Sequence, residues 1–350
     1  MKLKDGKDVL SLIFMNKFNI KVQNDNIIND KEFLLYLFDC IYNKNKVELF
    51  IDESPDLECI CLGHMYLIDF LEDVCQKFSI DKKDIAIKIE NLIQSNCWPN
   101  IERCYESIDV FHGQNVEHKV DKTFKYKTSI LVGGSRWPRL ALASFLYKYY
   151  ADDSLITYWQ NLKDKNQPCY LYIDDVFKYF NPVNESFIKQ IKEFIAVLPL
   201  HLESKDREKN NNGGFINFTE SYELVHQYNN IFCDIICETV HNGSTFAFTE
   251  KIARCWLTKT PYIAFGPKNY LNNLKKLGFQ SFAKFWNEAY DQHSNSRRII
   301  MMQQLIKYIH TMNYKTIDKL YAEMQDVLDN NYKVFKSLTQ EQIKKVFNIT

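Results

Sequence analysis

Two short groups of residues carry side chains suited to phosphate and hydroxyl chemistry. The first is Glu238, Thr249, Glu250 and Lys251, within CETVHNGSTFAFTEK. The second is Gly133-Gly134 with Arg136 and Arg139, within SILVGGSRWPR. Carboxylates accept hydrogen bonds from ribose or sugar hydroxyls, whereas a hydroxyl, an ammonium, guanidinium groups and free helix N–H groups suit a diphosphate. Glycines let a backbone approach phosphate closely, and two arginines at the mouth of a helix stabilise the charge that develops on a leaving diphosphate. Arg136 is the preferred diphosphate ligand of that pair. Together the residue types match a nucleotide diphosphate sugar.

The elements that must position these residues follow from the apolar pattern. The run Ile231–Cys237 ends at Glu238, a polar loop follows, Thr249-Glu250-Lys251 opens an amphipathic helix, and Tyr262–Phe265 is a second apolar run. This is a βαβ unit. Upstream, the strand Ser129–Val132 feeds Gly133-Gly134 and a helix over Leu140–Tyr150, with Pro138 where a first helical turn tolerates it. In an open α/β sheet ligands bind beyond the carboxyl ends of the strands, so both groups are expected in one crevice. Each has a structural counter-reading: a strand-to-helix turn with a solvated arginine, or Thr249, Glu250 and Glu238 as helix caps.

The order of these motifs resembles the donor-binding region of GT-B glycosyltransferases, particularly the α1,3-fucosyltransferases, which carry an acidic strand end, a Thr-Glu-Lys helix, and then a small-residue strand and glycine. Here those positions read CETVHNGSTFAFTEK and TPYIAFGPKNY. A further likeness is to glycosyltransferase-like proteins of large viruses and phages, with an Arg-Pro-Arg-type segment ahead of the Thr-Glu-Lys helix. The matching segments are TSILVGGSRWPRLALASFLYKYY, and Thr249 to Phe282 continuing through FWNEAYD. The resemblance implies an α/β, GT-B-like fold of two Rossmann-like domains with a helical C-terminal segment. Residues 1–125 would form the acceptor-side domain, 126–312 the donor domain, and 313–350 terminal helices packing back on the body. It also implies a catalytic crevice between the domains. The activity implied is transfer of a sugar from a nucleotide diphosphate donor to a hydroxyl of a glycan, a protein or a modified DNA base. Glu238 and Glu250 would serve donor hydroxyls, Arg136 and Lys251 (with Arg139 and Gly134 beside them) the diphosphate, and Thr249 a phosphate or cap contact.

An inverting transfer needs a general base. His112 and Asp109 in SIDVFHG stand where an apolar segment gives way to a glycine, and His64 in CLGHMYL at an equivalent strand-to-helix position, with Asp52 and Glu53 after a strand as outsiders. A histidine in such a place is more often structural. Asp174-Asp175, after the apolar CYLYI, raises a metal-dependent GT-A alternative in which carboxylates hold a divalent ion. The expectation is nonetheless metal independence and no cofactor beyond the donor substrate. A non-catalytic nucleotide-binding or structural protein is the alternative from another class, since fold does not dictate function.

Composition bounds the rest. The chain has 350 residues, 46% hydrophobic and 15% aromatic, enough for two cores. Its 44 basic and 44 acidic residues cancel, which removes a global drive toward nucleic acid or anionic membrane. No apolar run approaches the roughly 20 residues of a membrane span, and MKLKDGKDVL lacks a secretory apolar core, so a cytoplasmic protein is expected, and the resemblance to viral proteins implies a virus-encoded one. The ten cysteines then read as reduced thiols, and Cys59-x-Cys61 as strand alternation and not a zinc knuckle. Other expected elements are strands at Val47–Ile51, Leu57–Leu62, Ile85–Ile89 and Cys169–Ile173. Helices are expected at Met65–Phe78, Glu185–Val197, Ser296–Met312 and Lys315–Phe335, with a covering loop at Glu203–Gly214.

Overall fold

A computed structural model describes residues 18–23, 26–52, 60–62, 64–90, 97–104, 119–158, 185–200, 226–239, 241, 245–293 and 295–349. They fall into two compact units. One comprises Met1–Ile108, Val240–Ala247 and Thr339–Thr350, the other Asp109–Thr239 and Phe248–Leu338. Both are α/β, each is built on a four-stranded parallel array, and the described residues hold ten α-helices in all.

In the first unit, strands β1 (Phe18–Gln23), β3 (Val47–Asp52), β6 (Ile85–Glu90) and β7 (Ile101–Cys104) pair in parallel, in chain order. The short strands β2 (Asn26–Ile27), β4 (Cys61–Leu62) and β5 (Met65–Tyr66) extend the sheet beyond β1. Alternation sets the buried face: Phe18, Ile20 and Val22, then Val47, Leu49 and Ile51, then Ile85, Ile87 and Ile89 all point into one core. Helices α1 (Asp30–Tyr42) and α2 (Leu67–Phe78) cover it with Phe33, Tyr36, Leu37, Leu71 and Val74. The expected helix from Met65 starts two residues later because Met65 and Tyr66 pair with β4. His64 occupies the turn between those two strands and is exposed, so it does not sit at the strand-to-helix junction expected for it.

The second unit contains β8 (Tyr126–Val132), β9 (Ser154–Tyr158), β10 (Ile231–Cys237) and β11 (Tyr262–Phe265), all parallel, in the order β9-β8-β10-β11. Every residue of β10 is buried, as expected of a central parallel strand covered on both faces. Helix α3 (Trp137–Tyr150) joins β8 to β9 and is buried nearly all round over its first half. Helix α4 (Glu185–Val197) packs on it, and Gln190 donates to the Ser144 hydroxyl at 3.0 Å. Helix α5 (Glu250–Leu257) joins β10 to β11, and α6 (Tyr270–Lys276) follows.

The C-terminal helices are α7 (Asn295–Thr311), α8 (Tyr314–Glu323), α9 (Gln325–Ser337) and α10 (Gln340–Phe347). A single helix over Lys315–Phe335 is expected from periodicity, but the chain breaks at Met324. Its N–H is shared between the Leu320 and Tyr321 carbonyls, both at 3.1 Å, which tightens the last turn of α8. The segment 313–350 is divided between the units after Leu338: α8 and α9 belong to the second unit and α10 to the first. Trp256 of α5 stacks on Phe279 at 3.9 Å and meets Phe335 of α9, fastening the tail to the second unit.

Candidate functional site

The chain leaves β8, forms β9 on one side, and later places β10 on the other. Among the described strands the order therefore reverses between β8 and β10, the position where open α/β sheets bind ligands. Both residue groups singled out from the sequence lie at the carboxyl ends of these two strands.

After Val132, the turn through Gly133, Gly134 and Ser135 leads to Arg136 at the N-cap of α3, with Pro138 in its first turn. Arg136 is partly buried and donates to the Ser135 carbonyl at 3.0 Å. Arg139 turns back across the strand ends. Its Nη1 donates to the Gly134 carbonyl at 2.6 Å, Nε and Nη2 donate to the Cys237 carbonyl at 3.2 and 3.0 Å, and Nη2 reaches Thr239 Oγ1 at 3.3 Å. Desolvation, reinforced by Arg136 beside it, pulls the Arg139 pKa below the usual arginine value. The guanidinium is thus a clasp between the β8 turn and the end of β10. At Gly134 an added Cβ would meet only Arg139 Nη1, at 3.7 Å, so local packing does not itself demand glycine there.

At the end of β10, Glu238 is 1% exposed. Its Oε2 accepts from Thr249 Oγ1 at 2.5 Å, and its Oε1 accepts from Tyr270 Oη at 2.5 Å and from the Thr249 N–H at 3.3 Å. Thr249 is the N-cap of α5, its hydroxyl accepting from the Lys251 N–H. Tyr270 can approach Glu238 because Gly266, just past β11, leaves room: a Cβ there would lie 2.4 Å from the tyrosine ring. Glu238 is therefore a hub that holds the start of α5 and of α6 against β10. The sequence marks it as a strand-end acid; Tyr270 has no comparable sequence signal beyond its place in GPKNY.

The first turn of α5 carries the charge. Lys251 Nζ donates to Glu250 Oε1 at 2.8 Å, to Thr249 Oγ1 at 3.2 Å and to Thr239 Oγ1 at 3.5 Å. Burial alone would raise the Glu250 pKa, but Lys251 and Arg254 outweigh it and hold the carboxyl at about 2. Arg254, missed from the sequence, is 5% exposed and donates to Tyr228 Oη at 3.3 Å. Burial opposes its charge, yet Tyr228, Glu250 and Asp234 prevail and raise its pKa. Its spacing of three from Lys251 and four from Glu250, on the same helix face, was the available signal.

Arg139, Lys251 and Arg254 line one small pocket together with Asp234 and the ends of β8 and β10. Asp234 is buried in mid-strand, accepting from Ser129 Oγ at 2.5 Å and Tyr228 Oη at 2.7 Å, and burial raises its pKa. Of the three cations, Arg254 is the one whose charge acts on Asp234, a carboxylate already held by two hydroxyls.

Of the other candidates, Asp52 closes β3, and His112, Asp109, Glu53, Asp174 and Asp175 lie outside the described residues, as do Cys169–Ile173 and the loop 203–214. Among the described residues no group of three or more His, Cys, Asp or Glu could hold a metal ion, and no helix is long and apolar enough to cross a membrane. Comparison of the chain with protein-family models, curated proteins and solved structures finds no match.

Proposed function

We propose that the chain is a glycosyltransferase that moves a sugar from a nucleotide diphosphate sugar to a hydroxyl acceptor. The observation that carries the reading is the convergence of Arg139, Lys251 and Arg254 on one pocket between β8 and β10, where the strand order reverses. In such a transfer the bond from the anomeric carbon to the diphosphate breaks, and negative charge grows on the departing phosphate oxygen. Preorganised cations in a poorly solvated place lower that barrier without reorganising. Lys251 and Arg254, with Arg136 at the mouth of α3, supply them, and Arg139 fixes the distance between the two strand ends. Glu250 is positioned to accept from donor hydroxyls. Glu238, enclosed by Thr249 and Tyr270, acts as the positioning residue that sets the angle of α5.

A second reading, a nucleotide-binding protein without turnover, is favoured by one feature: Glu238 and Arg139 are consumed by internal partners and serve the fold itself. A thermal-shift panel of UDP-, GDP-, CMP- and ADP-linked sugars, with and without divalent metal, tests the binding common to both, because a ligand of the native state alone must stabilise it. We expect one nucleotide class to raise the melting temperature, and Lys251→Ala to abolish the rise. Silence toward every nucleotide and nucleotide sugar would sink both readings. Turnover of the responding donor, assayed by release of nucleoside diphosphate, then separates enzyme from binder.

A further inference from the structure

The cation pocket is already partly neutralised by an acid of the chain itself. Glu250 and Lys251 are paired at 2.8 Å with side chains only 24% and 16% exposed, and Arg254 stands one helical turn further along the same helix. The carboxylate that lines the pocket, Asp234, is engaged by Ser129 and Tyr228 and lies deep in the strand. Lys251 lines the pocket, and Glu250, paired with its ammonium, competes for it with any anionic group of a ligand. Two anions cannot share one ammonium in a poorly hydrated site without strong mutual repulsion.

We propose that Glu250 is an internal counter-ion that a phosphate group must displace from Lys251, and that the displaced carboxylate then accepts from the hydroxyls of the same ligand. This rests on the nucleotide-sugar reading and assigns the site a means of discrimination. Bare pyrophosphate, which has no alcohol hydroxyl, breaks the Glu250–Lys251 pair and gives Glu250 nothing in return. A ligand that also brings a sugar re-engages the carboxylate. One side chain thus disfavours an anion without hydroxyls and favours a ligand that carries both phosphate and hydroxyl groups. Position 250 is the first residue of α5, so Glu250→Gln preserves shape and removes only the charge.

The test is calorimetric titration of the full chain with inorganic pyrophosphate at fixed ionic strength, comparing wild type, Glu250→Gln and Lys251→Ala. Removing the competing charge is expected to tighten pyrophosphate binding about five- to tenfold in Glu250→Gln, and Lys251→Ala to weaken it by at least as much. If wild type binds and Glu250→Gln binds no better, the counter-ion role is wrong while the nucleotide-sugar reading stands. If neither binds pyrophosphate or any nucleoside diphosphate, that reading fails and takes the counter-ion role with it. Should Glu250→Gln fold poorly, Glu250→Ser removes the same charge while keeping a polar first-turn residue, and the same tightening is required of it.

Discussion

At the scale of single residues, the Glu238 carboxylate organises the site. It is almost fully buried, and a buried ion is tolerated only when its lone pairs are taken up. Thr249 supplies two donors and Tyr270 a third. Thr249→Val removes the hydroxyl that both caps α5 and donates to Glu238, and should cost about 2 kcal/mol in urea unfolding, against about 1–2 kcal/mol for Tyr270→Phe. Because both serve one carboxylate, the double variant should lose more than the sum by at least about 0.5 kcal/mol. Strict additivity would show that Glu238 does not couple them. Gly266→Ala probes the same hub from behind: its Cβ overlaps the Tyr270 ring, and we expect a loss of about 1–3 kcal/mol.

At the scale of elements, the central question is what holds two strand ends and two helix starts in register. Arg139 does this from α3, reaching carbonyls on both sides of the gap between β8 and β10. Arg139→Lys keeps the charge but cannot reproduce a planar fork that spans Gly134 and Cys237. It should destabilise the chain by about 2–3 kcal/mol through unsatisfied buried carbonyls. Chemical denaturation gives that number, and a change below about 0.5 kcal/mol would reduce Arg139 to a bystander. The sequence singles out Arg139 for phosphate; its hydrogen bonds to the Cys237 carbonyl reach a strand about a hundred residues away, which local spacing does not reveal. Strands β8, β10 and β11 and helix α5 were legible because each is a clean apolar run or amphipathic stretch with a capping threonine. The break at Met324 was not, because periodicity runs straight through it and only the shared N–H marks the stop.

For the molecule as a whole, one source of acid sensitivity lies where the end of α7 meets the amino ends of β8 and β9. The His310 ring stacks on Tyr150 at 4.1 Å, and its Nε2 lies 3.0 Å from Thr128 Oγ1. Desolvation, then the nearby Lys127 charge, lowers its pKa to about 4, against the opposing pull of Asp153. A folded-state value below the ordinary 6.5 means that the unfolded chain takes up the proton first. Stability should therefore fall as pH drops from about 6.5 toward 4, by about 2 kcal/mol from this group, and level off below. Glu250 acts in the next window. With its folded value near 2, it adds stability above about 4.5 that disappears as pH falls through 2. Urea midpoints at pH 7 and 4.5 should separate by less in His310→Gln than in the wild-type chain. An unchanged separation would place the acid sensitivity elsewhere.

The sequence by itself determined the α/β class, the strand–loop–helix units after Val132 and Cys237, and the residue types gathered at their ends, because apolar periodicity, caps and turn chemistry are local. Tertiary structure decided which of those residues are spent. Glu238 and Arg139 read alike from the sequence as ligand groups, yet burial forces each to satisfy its charge internally. Arg254, inconspicuous in the chain, is brought by the pitch of α5 onto the pocket beside Lys251. The placement of β10 beside β8, and not beside β9, depends on long-range strand pairing. No neighbouring residues encode that choice, and it alone brings the two groups to one place.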